Sequence, residues 1–402
     1  MPKYPRLQSL KAVNRLMEQY YVKRKLMARV KPVAYVTSGA PVEILEAFGV
    51  LTLYPENYGA LCGARKVAVS LCEVAEQAGY SQDLCSYARS HIGSTMQPQS
   101  APLNGLPKPD LLLCCSNICG TVLKWYEALA DHYHVPLFVL DVPFQGGSEP
   151  QPHAVQYVSD QLESLIPWAE EVTGRRWRPK KLRELLALSN ETVRLWGEIR
   201  DMGMHKPSPV NAPDLFMAMA PIVALRASRQ SVEVYKGLKA ELQERVDSGV
   251  AAVPGERIRL LWDNIAIWYR LYRFFRPFMD AGVCFVTDGY TNGWATAEPV
   301  DLDDPLPSMA RTLQAIYINL NLATRAGIVA DLAHRFHVDG MVMHANWSCK
   351  PFSLTQSDIQ AVVREKMSLP TLVLEADMCD SRRYNEGAAQ ERIAAFLEML
   401  DA

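Results

Sequence analysis

Charge of one sign is what this 402-residue chain most plainly lacks: 42 Lys and Arg stand against 44 Asp and Glu, a net charge of −2. A nucleic-acid partner normally requires a dense basic patch, so that class is set aside. Long apolar runs are also missing. No stretch approaches the roughly 18 apolar residues of a membrane helix. Met1 to Lys25 is charged throughout and has no apolar signal core. These absences lead to the expectation of a cytoplasmic protein with no membrane partner. There is no Cys-x-x-Cys pair, no low-complexity tract and no internal sequence repeat.

What is present describes an ordered globular protein. Hydrophobic residues make up 49% and charged residues 21%, the usual balance of a packed soluble chain. Single cores stop growing at about 250–300 residues, so two or three domains are expected. Nine cysteines is a high count. An odd number in a large chain does not suggest a disulfide scaffold, and the default reading is of small buried hydrophobes.

Apolar periodicity predicts a helix over residues 6–29, with Leu7, Leu10, Val13, Leu16 and Tyr20 on one face. Val33–Val36 reads as a strand ending at Ser38 and Gly39. A helix over Pro41–Phe48 and a strand over Val50–Tyr54 follow. Strand, turn, helix and strand in this order are the mark of a doubly wound parallel sheet. Leu111–Cys115 is continuously apolar, as in a strand covered on both faces. A helix over Thr121–His134 and a strand over Leu137–Asp141 complete an α/β domain at 1–154. Residues 155–254 lack strand-like runs and read as a helical linker or insertion. The α/β alternation returns at 255–402, with strands at Arg259–Asp263, Val283–Thr287, Gly340–His344 and Thr371–Leu374. The fold class is α/β: two doubly wound parallel-sheet domains with a helical segment between them.

Three cysteines stand out by position. Cys119 lies just past the strand Leu111–Cys115, at the start of the next helix. Open α/β sheets bind ligands at such carboxyl strand ends, and unpaired helix N–H groups there favour a thiolate or an anionic cluster. Cys349 repeats the pattern after Gly340–His344. Cys85 lies on or just before a helix carrying Arg89 one turn on. Ligands of a zinc finger or small ferredoxin cluster locally, whereas these are spread over both halves. Two readings stay open at this point: one cluster at a cleft between the domains, or three separate buried thiols. Cys114 and Cys115 read as packing residues of a strand, Cys62 and Cys72 have no partner motif, Cys284 lies in a strand, and Cys379 lies in a loop and is not expected to be a ligand.

Several longer blocks carry a resemblance. TSGAPVEILEAFG (37–49), YPEN (54–57), CSYAR (85–89), CCSNICGTVLKWYE (114–127), LDVPF (140–144), SCKPFS (348–353) and DMCDSRRYNE (377–386) are similar to the 2-hydroxyacyl-CoA dehydratases and the related subunits of benzoyl-CoA reductase. The resemblance runs from about residue 6 to the C-terminus. It implies two Rossmann-like domains and a [4Fe-4S] cluster held by Cys85, Cys119 and Cys349, with the fourth iron open. It also implies a homologous second subunit, forming a heterodimer, and a separate ATP-hydrolysing iron–sulfur activator protein. The chain has no Gly-x-x-x-x-Gly-Lys-Ser/Thr phosphate loop, so the ATPase would be another chain.

The implied chemistry is loss of water from an (R)-2-hydroxyacyl-CoA, an oxygen-sensitive anaerobic radical reaction. The β-hydrogen of the substrate is barely acidic. Adding one electron to the thioester gives a ketyl radical that expels the α-hydroxyl and acidifies that hydrogen; the electron is then returned. Ser38 is expected to touch the substrate or the cluster's open position, or else to cap the helix that follows. Glu56 is expected to act as a base or as a partner of the leaving hydroxyl, or else to be a solvated loop carboxylate. Glu43 reads as structural, and His344 as a packed residue or a proton shuttle. Arg89 and Lys350 could balance cluster charge, bind CoA phosphates or form surface ion pairs. Competing functions are a benzoyl-CoA reductase subunit, which the DMCDSRRYNE block favours, and a non-catalytic electron-transfer subunit.

Overall fold

The computed structural model describes residues 4–295 and 298–401. It contains two sheets of four strands each. The first comprises β1 (Val33–Val36), β2 (Leu51–Leu53), β3 (Leu111–Cys115) and β4 (Leu137–Leu140). The second comprises β5 (Ile258–Asp263), β6 (Val283–Asp288), β7 (Gly340–Asn346) and β8 (Thr371–Ala376). Every pairing is parallel. Parallel strands need covered faces, and β1, β2, β3, β5 and β6 are buried at every residue. Of the four edge strands, β4 and β8 are partly exposed.

The strand orders are β2-β1-β3-β4 and β6-β5-β7-β8. In each half the second strand pairs outside the first, and the third and fourth lie on its other side. The two halves are therefore duplicates in topology, although the sequence contains no visible repeat. Each half has a switch point, between β1 and β3 and between β5 and β7, where successive connections leave in opposite directions. A crevice opens there at the carboxyl ends of the strands.

Between the sheets the chain is helical. Pro152–Thr173 and Pro179–Asp201 are long helices, the first closed by Gly174 at φ +64°. Ala212–Ala218, Ala220–Ala224 and Arg229–Asp247 follow. The helix Pro179–Asp201 buries Leu182, Leu185 and Leu186 in the core around the first sheet. Further along it buries Leu195, Trp196 and Ile199 in the core around the second. The N-terminal helix Leu10–Met27 does the same, with Tyr20 and Tyr21 in the first core and Leu10 in the second. Among the described residues, no helix is long and apolar enough to cross a membrane.

Candidate active site

Cys119, Cys85 and Cys349 share one structural position: each is the residue immediately before a helical segment. Cys119 precedes Gly120–Tyr133, Cys85 precedes Ser86–Met96, and Cys349 precedes the single turn Lys350–Ser353. The Cys119 sulfur accepts a hydrogen bond from the Val122 N–H at 3.4 Å. Cys119 follows β3 and Cys349 follows β7, the equivalent strands of the two sheets. Cys85 belongs to no strand end.

Burial separates these three from the other six cysteines. Cys85 and Cys119 are partly exposed, and Cys349 is 8% exposed; every other cysteine is at 2% or less. All three line one cavity of about 640 Å³, together with Ser38 and Glu56. That volume is typical of a small-molecule site. Its walls come from both halves: Ile118 and Trp125 from the first, Tyr290, Tyr317 and Phe352 from the second. Burial raises all three thiols. Cys119 is pushed up to about 11, opposed by the Val122 N–H, and Cys85 to about 12; Cys349 lies well above the usual thiol range. Cys119 is thus the least raised of the three. Among the described residues, no group of three or more His, Cys, Asp or Glu is arranged to hold a metal ion.

Ser38 sits in the turn after β1, and Glu56 in the first turn of the helix Pro55–Ala64 that follows β2. The Ser38 N–H donates to both carboxylate oxygens of Glu56, at 3.0 and 3.3 Å. A helix N-terminus and this N–H both favour the carboxylate. Burial opposes them and wins: the Glu56 carboxyl is pushed up to about 7. Glu56 is therefore a buried acid rather than a solvated loop carboxylate. Ser38 is not a helix cap, because Pro41 occupies that position before Val42–Ala47.

The remaining polar candidates divide. Glu43 pairs with Arg226 at 2.7 and 3.0 Å and accepts from the Ser189 hydroxyl at 2.6 Å. Burial pushes its carboxyl up, but Arg226 and Ser189 outweigh it, and the net shift is downward. His344 is fully buried in β7, with Nδ1 at 2.7 Å from the Ile265 carbonyl, and burial lowers its basicity. It does not line the cavity. Arg89 is buried and ion-paired to Glu76 and Asp380, not a surface cation. Lys350 is exposed and lines a smaller pocket that Cys119 also borders. The aromatic wall of Tyr87, Trp268, Tyr290 and Phe352 left no mark in the sequence pattern, because it is assembled from four distant segments.

The chain is similar to several known proteins along nearly its whole length. The alpha subunit of lactoyl-CoA dehydratase from Anaerotignum propionicum is 33% identical over 393 residues, covering 94% of this chain and 93% of that protein. The (R)-2-hydroxyisocaproyl-CoA dehydratase alpha subunit of Clostridioides difficile is also 33% identical, over 96% of this chain and 94% of its own length. A benzoyl-CoA reductase subunit of Thauera aromatica is 27% identical, over 92% of this chain and 89% of its own length. The family model for the 2-hydroxyglutaryl-CoA dehydratase D-component matches residues 37–400, and the chain belongs to that family.

Proposed function

We propose that this chain is the cluster-bearing subunit of a 2-hydroxyacyl-CoA dehydratase that removes water from an (R)-2-hydroxyacyl-CoA. One observation carries the reading: the three most accessible thiols, drawn from both halves, line the same cavity as the Ser38–Glu56 pair. Cys85, Cys119 and Cys349 suit a [4Fe-4S] cluster. A single ion needs all its sulfur ligands at about 2.3 Å, whereas a cluster takes each thiolate on a different iron and tolerates a wider-set group. When bound there, such a cluster would supply one electron and an open iron able to polarise a thioester oxygen.

The chain's own residues supply the rest. The mostly apolar cavity houses the acyl group and excludes water. Glu56, poised near neutrality, gives a proton to the departing α-hydroxyl, and the proton lost from the β-carbon restores it. The proton count then closes on a net loss of one water. Ser38 orients Glu56 through its N–H. The relatives are named as subunits, which supports a multi-subunit assembly, and the partner in it would be a homologous second subunit. An ATP-hydrolysing iron–sulfur activator would deliver the electron.

The test is anaerobic purification with partner and activator, followed by an assay against 2-hydroxyacyl-CoAs and benzoyl-CoA. Expected are about one four-iron cluster per chain, bleaching in air and catalytic dehydration. Cys119→Ser should lose the cluster while Cys72→Ala keeps it. Glu56→Gln should slow turnover by about 10²–10⁴-fold with the cluster intact. A colourless protein with full activity ends the reading. The likeness to the benzoyl-CoA reductase subunit supports a second reading, a ring-reducing subunit. The two differ in ATP hydrolysed per product, because dehydration recycles its electron and ring reduction consumes two.

A further inference from the structure

We propose that Ser348 and the turn Asp377–Asp380 form a positioning clamp that fixes the Cys85 and Cys349 thiols relative to each other. This inference rests on the cluster reading above. The two cysteines lie far apart in sequence and in different halves, so no covalent constraint sets their spacing. A buried polar network does. The Ser348 hydroxyl oxygen accepts from the Ser86 N–H at 3.0 Å, and its proton is donated to Asp377 Oδ2 at 2.5 Å. Ser86 follows Cys85 and Ser348 precedes Cys349, so one hydroxyl ties the two cysteine segments together.

The other flank of Cys85 is held by the same turn. Arg89 Nε donates to the Leu84 carbonyl at 2.9 Å, and Arg89 Nη1 pairs with Asp380 at 3.0 Å. Asp377 Oδ1 accepts from the N–H groups of Cys379 and Asp380, both at 2.8 Å, which stiffens the turn. The turn is itself wedged against the helix carrying Glu56. A Cβ on Gly63 would lie 2.5 Å from the Cys379 sulfur. Ser86, Ser348, Asp377, Asp380 and Arg89 are all buried. In such surroundings a hydrogen bond holds its geometry, and a lost partner is costly. The DMCD block thereby gains a physical role: it touches both cysteine segments although Cys379 does not line the cavity.

Outer-shell partners of metal ligands typically change metal affinity or activity about 10- to 100-fold when removed. The test compares Ser348→Ala, Ser348→Thr and Asp377→Asn with the parent, all reconstituted anaerobically with iron and sulfide. Iron per chain, the rate of iron loss to a chelator and the electron paramagnetic resonance signal of the reduced cluster are measured. Ser348→Ala should shed iron about 10- to 100-fold faster with an altered signal. Ser348→Thr, which keeps the hydroxyl, should restore both. Asp377→Asn should shed iron too, because an amide must donate where the carboxylate accepted.

Gly203→Ala serves as a control for a merely structural effect. Its Cβ would lie 2.1 Å from the Val286 carbonyl oxygen, so it should lower the melting temperature yet keep the iron. Equal iron loss from Gly203→Ala and Ser348→Ala would overturn the clamp, as would parental iron and signal in Ser348→Ala. If Ser348→Ala does not fold, Asp377→Asn decides: iron loss supports the clamp, and retention with a parental signal overturns it. A parent that takes up no iron ends the cluster reading itself, whereas an iron-bearing parent with unchanged variants ends the clamp alone.

Discussion

Glu56 shows how burial can reverse local preference at a single residue. Burial pushes its carboxyl up to about 7 from an ordinary value of 4.5. The fold favours the protonated form, so the stability linked to that form is fully present below about pH 4.5 and is lost as pH rises through 7. Glu56→Gln keeps an acceptor for the Ser38 N–H and cannot ionise. It should therefore become more stable than the parent by on the order of 3 kcal/mol, with the gap opening between about pH 4.5 and 7 and flat above. Urea unfolding at pH 5 and pH 8 measures it; an equal gap at both values would show that Glu56 titrates normally. Arg226 poses the opposite case. Removing it in Arg226→Ala strands the buried Glu43 carboxylate, and a loss of about 3–5 kcal/mol is expected in the same assay. A loss below about 1 kcal/mol would mean that Glu43 is held neutral. That Cys85, Cys119, Cys349 and Ser38 gather around one cavity follows from their places at or near strand or helix ends, which the sequence pattern marks. Arg226 was not legible in that pattern, since it lies 183 residues from Glu43 and no local pattern announces such a pair.

At the scale of elements, strands buried on both faces were the most legible. Leu111–Cys115 has the same bounds in sequence pattern and structure, because a continuous apolar run of five has few alternatives. Termini moved more: the first helix spans Leu10–Met27 rather than 6–29, and the second strand shrinks to Leu51–Leu53. Close approach of one helix to another was invisible in the sequence. The helix Ser86–Met96, led by Cys85, lies so near Ala68–Gln77 that a Cβ on Gly93 would come within 1.9 Å of the Leu71 carbonyl oxygen. That atom belongs to the backbone and cannot swing aside. Gly93→Ala should therefore force the helices apart and destabilise at about the upper end of the 1–3 kcal/mol typical of overpacking, or beyond it. Thermal or urea denaturation gives the magnitude; a change under about 0.5 kcal/mol, the range of a neutral surface substitution, would show that the two helices slide freely.

On the scale of the whole molecule, the α/β alternation hints at a duplicated strand order, but the duplication cannot be read as a repeat. Topology is kept by which strands pair, and many apolar sequences satisfy the same pairings. The division of the helical segment between two cores was likewise hidden, since one amphipathic helix looks the same whether it faces one sheet or two. The helix Pro179–Asp201, about 34 Å long at 1.5 Å per residue, ties both cores together. The cavity lies between those cores and is lined by both, so a ligand that fills it bridges the halves. Binding to the folded state alone adds about 2.7 kcal/mol of stability at a hundred times Kd. An (R)-2-hydroxyacyl-CoA should therefore raise the melting temperature of the anaerobic protein by about 3 °C, within a single transition, because both halves are held by the same ligand. Free CoA lacks the acyl group that, on the function proposed above, enters the apolar cavity, and its effect should be clearly smaller. Equal shifts from CoA and acyl-CoA would mean that the acyl group lies elsewhere. A ligand-induced split into two transitions would mean that the cavity is filled from one half only.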